Sequence, residues 1–223
     1  MTDLNKPDIL VFCNGWLYIA FIGGDRCLNK MKEKASVHHA SYYKLGEPAR
    51  MLYQFPSPRA ILIIYPDITE SEYLSRQVVD YVKNRGGTVI LGRYFAASDL
   101  IQPTVLNKWL RDSWGVPWRT GRYDITTVLL QDSHTGLGTS TRAQLVASYS
   151  CEARLLKNVS PSDSLYVSPE NARSQLTVRP GPVEAQTAIA FGRCGQGWLG
   201  YAGDVGNEEG TGEALLAMMG LLE

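Results

Sequence analysis

Ala60-Ile61-Leu62-Ile63-Ile64-Tyr65 is a continuous apolar run that ends in Pro66-Asp67, and Thr88-Val89-Ile90-Leu91, ending at Gly92, is a second. Between them stand Thr69 and Glu72 at capping-box spacing, in which a hydroxyl and a carboxylate satisfy backbone N–H groups that the first helical turn leaves open. Tyr73, Gln77, Val78, Tyr81 and Val82 then recur near helical spacing, with Arg76, Asp80 and Lys83 elsewhere on the helix. Gly86-Gly87 stops it. Strand, amphipathic helix, double glycine and strand predict a βαβ unit with parallel strands and a right-handed crossover.

Working outward, Ile9-Leu10-Val11-Phe12, between Pro7 and Asn14-Gly15, reads as a buried strand. Trp16 to Lys34 has helical composition but carries Gly23-Gly24 in its middle, which predicts a kinked or interrupted helix, and a second strand is expected near Val37 to Tyr43. Thr104 to Ser113, after Pro103, reads as a helix. Tyr123 to Leu130, Leu145 to Ser150, Leu176 to Arg179, Thr187 to Phe191 and Trp198 to Ala202 are short β-type runs. A last helix is expected from Thr211 to Leu222, with Glu208, Glu209 and Glu213 near its amino end, where carboxylates favourably oppose the helix dipole. The expected fold is therefore α/β: a doubly wound, mostly parallel sheet flanked by helices, in a single domain over residues 1–223, with a β-rich insertion at about 123–190. In such sheets ligands collect at the carboxyl ends of strands. That rule selects Cys13-Asn14-Gly15, Pro66-Asp67, Gly92-Arg93-Tyr94 and the segment after Tyr201.

The chain has 223 residues, with 22 Lys plus Arg against 22 Asp plus Glu. A net charge of zero argues against nucleic-acid binding through a strong overall positive field. No apolar run approaches the length of a spanning helix, and Met1-Thr2-Asp3-Leu4-Asn5-Lys6-Pro7 lacks the basic and apolar regions of a signal peptide. A cytoplasmic location without membrane association is expected, and the four widely spaced cysteines read as free thiols.

Tyr94-Phe95, Trp114-Gly115-Val116-Pro117-Trp118, Gly121-Arg122-Tyr123, Ser148-Tyr149-Ser150, Lys157-Asn158-Val159 and Gly197 to Glu209 together resemble a family of fungal proteins with a class I glutamine amidotransferase-like domain, over residues 8–222. The resemblance implies a flavodoxin-like sheet and a place among possible biosynthetic enzymes of small-molecule pathways. Amidotransferases of that class use a cysteine in a strand-to-helix elbow and a histidine–glutamate pair on a later strand. Here the elbow after Ile90-Leu91-Gly92 supplies Arg93 and Tyr94, and the late strand runs into Asp204-Val205-Gly206-Asn207-Glu208. Arginine stays protonated and cannot be the nucleophile, so glutamine hydrolysis by a Cys–His relay is not expected.

Asp204, Asn207, Glu208 and Glu209 are the densest polar group at a predicted strand end. Two carboxylates in reach of each other can divide acid and base roles, hold a divalent cation, or simply cap and solvate the last helix. Asp204 and Glu208 are the candidate catalytic pair. Arg93, Tyr94, Asp67, Asn14 and Asn207 are the candidate substrate-binding residues, with Arg93 suited to a carboxylate or phosphate. Cys13 is the alternative nucleophile, although a small buried thiol is the commoner meaning of a cysteine that ends a strand. Three scattered histidines make no metal-ligand spacing, and Gly195-Gln196-Gly197-Trp198-Leu199-Gly200 enters a β-type run, so it reads as a hairpin turn and not a dinucleotide site. These readings lead to a cofactor-independent enzyme of hydrolase, lyase or isomerase type acting on a small, anionic molecule, with self-association left open. The alternative is a noncatalytic ligand- or partner-binding domain on the same fold.

Overall fold

The computed structural model describes residues 6–14, 26–42, 46–97, 100–172, 184–206 and 208–222. Nine strands form one sheet in the order β2-β1-β3-β4-β9-β8-β6-β5-β7. They are β1 (Asp8–Cys13), β2 (Ser36–Ser41), β3 (Ala60–Ile63), β4 (Thr88–Leu91), β5 (Arg119–Leu130), β6 (Ser148–Lys157), β7 (Ser164–Ser168), β8 (Gln186–Cys194) and β9 (Gly197–Ala202). The helices are α1 (Arg26–Lys34), α2 (Glu47–Gln54), α3 (Glu72–Lys83), α4 (Pro103–Trp109), α5 (Thr139–Arg142) and α6 (Glu209–Met218). No helix among the described residues is long and apolar enough to cross a membrane.

The expected doubly wound, mostly parallel α/β sheet is not what the chain builds. Four strand pairings are parallel (β1–β2, β1–β3, β3–β4 and β4–β9) and five are antiparallel. The antiparallel strands β5, β6, β8 and β7 pair in a cycle, so they close into a four-stranded barrel, and the other five strands extend from it. The physical reason lies in the connections. A parallel pair needs a crossover of a dozen or more residues, whereas hairpins need only a few. Cys194 and Gly197 close a two-residue turn whose first residue, Gly195, has φ 61°, which forces β8 and β9 antiparallel. The β-rich half is thus a structural half of the sheet, and the sequence expectation generalised the βαβ unit of residues 60–91 too far.

Local readings fare differently along the chain. β3 and β4 do pair in parallel, with α3 between them in sequence. The cap of α3 is Ser71, whose side chain accepts from the Leu74 N–H; Thr69 lies in a preceding 3-10 turn and donates to the Pro66 carbonyl at 2.8 Å. The helix after Pro103 ends at Trp109 and continues as a π-helical turn over Leu110–Trp114. Strand β7 had no counterpart in the sequence reading, while Trp16 to Asp25 and Leu176 to Arg179 lie outside the described residues.

The side-chain period of two separates the core into layers. Ile9, Val11, Leu62 and Ile90 pack with Leu28 and Met31 of α1 and with Leu215 and Met218 of α6. Leu10, Phe12, Ile61, Ile63, Val89 and Leu91 face the other way, against Val78 and Val82 of α3 and Trp109 of α4. Parallel strands that are buried on both faces explain why residues 60–64 read as one unbroken apolar run.

Candidate functional site

Strand β9 leaves the sheet at Ala202, and the chain then forms a short antiparallel bridge to β6, in which Asp204 pairs with Ala153. Arg154 N–H donates to the Gly203 carbonyl and Val205 N–H to the Glu152 carbonyl, both at 2.9 Å. This clip holds Asp204, 1% exposed, at the junction of the parallel strands and the barrel. Gly206 N–H donates to Asp204 Oδ1 at 2.8 Å. Asp204 Oδ2 and Glu208 Oε2 are shut off from water, and neither has an N–H or hydroxyl donor among the described residues.

Two buried carboxyl oxygens without donors are resolved if they share a proton. Burial, the hydrogen bond with Asp204 and the charges of Asp204 and Glu152 together push the Glu208 carboxyl up to about 8, so at neutral pH Glu208 holds a proton. Their neighbours come from β6. The Cys151 thiol is raised well above its ordinary range by burial and by the charges of Asp204 and Glu208. Tyr149, raised by burial and by Cys151, hydrogen-bonds Thr211 at 2.8 Å. The Tyr123 hydroxyl donates to Glu152 Oε1 at 2.8 Å. Cys151 is therefore a protonated thiol in an acidic setting, the opposite of the cationic surroundings that activate a nucleophile.

The proton affinity of Glu208 has a consequence for stability. Its value of about 8 in the folded chain lies above the ordinary 4.5. Between these two pH values the folded state therefore holds more protons than the unfolded state, and stability falls as pH rises through that window. The contribution is fully present below the unfolded value and lost above the folded one. Urea midpoints measured across this range should decline in the wild type, and Glu208→Gln should remove most of that decline. An unchanged slope in the variant would show that Glu208 does not hold the proton.

Arg93 is next along the edge. The register Leu91↔Tyr201 continues to Gly92 and Ala202, where a Cβ on Gly92 would stand 3.7 Å from that of Ala202, so Arg93 leaves β4 opposite Gly203. Arg93 has φ 61° and opens a 3-10 turn over Arg93–Ala96. A left-handed non-glycine residue costs of order 1–3 kcal/mol, and such strain concentrates at functional sites. The side chain is buried, at 2% exposed, and places an obligate positive charge inside the strand edge. Arg154 Nε donates to the Ala96 carbonyl at 2.9 Å and ties β6 to this turn. Tyr94 beside it is half-buried.

Of the other predicted residues, Asp67 follows β3, the strand beside β4, and Cys13 and Asn14 lie at the end of β1, one strand further. Asp67 is raised from its ordinary range by burial and by Glu70. Asp67 and Cys13 both lie within electrostatic reach of the Tyr42 hydroxyl. Cys13 is buried, its thiol is pushed up to about 11 by burial and by Glu47, and it gives no nucleophile at neutral pH. Asn14 follows β1, 7% exposed. Asn207 lies outside the described residues. The sequence-selected residues thus follow the carboxyl ends of successive strands: Cys13 and Asn14 at β1, Asp67 after β3, Arg93 and Tyr94 after β4, and Asp204 and Glu208 after β9, with the turn that carries Asp67 touching the turn that Arg93 opens.

Sequence reasoning missed Tyr149, Cys151 and Glu152 as members of the site. Alternation on a strand puts Tyr149, Cys151 and Ala153 on one face, but only the bridge to residue 204 shows what that face meets. Among the described residues no group of three or more His, Cys, Asp or Glu side chains could hold a metal ion.

No family model matches the sequence, and no curated protein matches it. Solved structures do match. A ThuA-like protein of Parabacteroides merdae ATCC 43184 is 13% identical, with a TM-score of 0.60, over 96% of this chain and 89% of that one. A ThuA-like protein of Bacteroides uniformis ATCC 8492 is 10% identical, with a TM-score of 0.54, over 100% of this chain and 94% of that one. A β-galactosidase of Halorubrum lacusprofundi is 16% identical with a TM-score of 0.52, and the match spans 97% of this chain but only 30% of the enzyme. At these identities the likeness is one of fold. The resemblance to a fungal glutamine amidotransferase-like, flavodoxin-like family is thereby corrected: the matching structures include ThuA-like proteins and no family model supports it, and the quoted motifs have structural work. Trp114 and Trp118 are core, 1% and 2% exposed, and a Cβ on Gly121 would stand 2.1 Å from Gln186 Oε1. Aromatic residues and close-approach glycines of this kind recur in unrelated chains wherever packing demands them, so the chain is ThuA-like in fold.

Proposed function

We propose that this chain is a cofactor-independent enzyme of the cytoplasm that carries out acid–base chemistry on a small anionic molecule, in a reaction of hydrolase, lyase or isomerase type. Glu208 is the acid–base group and Asp204, buried behind it, positions its proton. The observation that carries this reading is the buried contact between the Asp204 and Glu208 carboxyls, which pushes Glu208 up toward neutral pH, where general acids and bases work best. Arg93, at the carboxyl end of β4 and so at the same edge of the sheet, contributes a fixed positive charge that favours an anionic substrate. Contact between the carboxyls argues against the spacing of about 5–9 Å that glycosidases keep between theirs.

Thermal-shift screening of the purified chain against small carboxylates and phosphate esters, followed by turnover assays on each binder, tests the reading. Wild-type protein should convert a binder, with kcat/KM falling as pH rises through about 8 as Glu208 loses its proton. Glu208→Gln should still bind it but lose on the order of 100-fold to 10,000-fold in turnover. Binders that the wild type leaves unconverted would favour the noncatalytic ligand-binding alternative. Full turnover in Glu208→Gln would remove the proposed acid.

A further inference from the structure

A groove of about 690 Å³ runs between α3 and α4, away from the carboxyl pair. Its apolar part is Val79, Val105 and the buried Trp109, whose indole N–H donates to Ser75 Oγ at 2.7 Å. Val105 is 44% exposed, and Tyr73, two turns before Asp80 on the same side of α3, is 65% exposed. Along the groove α3 presents Glu72, Arg76, Asp80 and Lys83, an alternating order of charge.

That order is complementary to itself when reversed. If a second α3 lies antiparallel across a two-fold axis near residue 78, Glu72 falls opposite Lys83 of the second copy and Arg76 opposite Asp80, each within about one residue. Tyr73 then falls over the Lys83 end of the other groove. We propose that the α3–α4 groove is an isologous self-association face, occupied by α3 of a second copy of this chain. Arg76 now pairs with Glu72 and Asp80 with Arg85 at 3.3 Å, both exposed, while Lys83 Nζ donates to the Ser113 carbonyl at 2.9 Å across the groove. Exchanging such pairs for others across the axis changes little in energy, because exposed pairs are worth about 0–1 kcal/mol. Affinity comes from covering Tyr73, Val105 and the groove, while the charges fix the antiparallel register and reject others.

Sedimentation velocity of the full chain, from about 1 to 100 µM, tests this. The wild type should shift with concentration toward twice the 24.7 kDa of one chain. R76D sets Asp against Asp80 of the second copy twice per dimer and should stay monomeric. R76D/D80R restores opposite charges in the same places and should recover the dimer. Arg76 and Asp80 are exposed, at 76% and 49% of their side chains, so these variants should fold, which far-UV circular dichroism checks. Hydrogen exchange of the wild type supplies an independent readout, with protection of residues 72–83 rising as the dimer forms. A wild type that stays monomeric throughout overturns the proposal. So does a dimer that R76D leaves intact, or a loss that the double variant does not repair. Groove occupation by a small molecule or by another protein would show as the first of these.

Discussion

Asp124→Ala should destabilise the chain by about 3–5 kcal/mol, a large part of the roughly 5–15 kcal/mol that a folded domain has. Arg122 Nε and Asp124 Oδ2 stand 3.2 Å apart inside the barrel, with side chains only 5% and 3% exposed. Arg122 also donates to the Glu184 carbonyl at 2.8 Å and to Ser168 Oγ at 2.6 Å, and its backbone N–H donates to Gln186 Oε1 at 2.9 Å. Arg122 thus fastens β5 to β7 and β8, through its guanidinium to Ser168 and to the carbonyl just before β8, and through its backbone to Gln186. Removing the carboxylate takes its buried counter-charge and leaves a cation that cannot deprotonate, in a place where water does not reach. The apolar double replacement Arg122→Met with Asp124→Leu should recover much of the loss, because it buries no unpaired charge. Urea unfolding of the two variants measures both effects. A loss below about 1 kcal/mol in Asp124→Ala would mean that the pair is solvated in solution.

The same barrel explains what could be read in the sequence and what could not. The run 60–65, the helix after it and the run 88–91 announce themselves because each is local: apolar strands, a 3.6-residue period and a double glycine lie within about thirty residues of one another. Asp204 and Glu208 were legible for the same reason, being four residues apart at a strand end. Barrel closure was not, since β5 meets β7 across some forty residues and β7 is a five-residue strand without alternation. Cys151 and Glu152 were invisible as site residues because their meeting with Glu208 depends on the Ala153↔Asp204 bridge, a contact between strands over fifty residues apart. Burial misled in the opposite direction at Arg93. The residue type suited a carboxylate or phosphate, and nothing in the sequence announced that the strand exit at φ 61° leaves its side chain buried.

Gly203→Ala couples fold and site, and it is expected to damage both. A Cβ at this position would lie 2.0 Å from the Arg154 carbonyl oxygen and 3.0 Å from its carbonyl carbon, which are backbone atoms of β6 that no rotamer change can move. Gly203 is also bound on both sides, its N–H donating to the Ala188 carbonyl and its carbonyl accepting from Arg154 N–H, each at 2.9 Å. To admit the methyl group the chain must part residues 203–205 from β6 and lose at least one of these bonds. Overpacking of this kind costs about 1–3 kcal/mol, and a lost buried hydrogen bond a further 1–3 kcal/mol. The displacement falls on the residue before Asp204, so the carboxyl pair opens and Glu208 gains water. Its proton affinity should then fall from about 8 toward the ordinary carboxyl range, and the decline of stability with rising pH should flatten as it does in Glu208→Gln. Urea titrations of Gly203→Ala across that range separate the two consequences, because packing strain lowers stability equally at every pH and only the opened pair changes the slope. A variant that keeps the wild-type slope while losing stability would show that the Asp204–Glu208 pair is held by α6 rather than by the clip between β6 and residues 203–205.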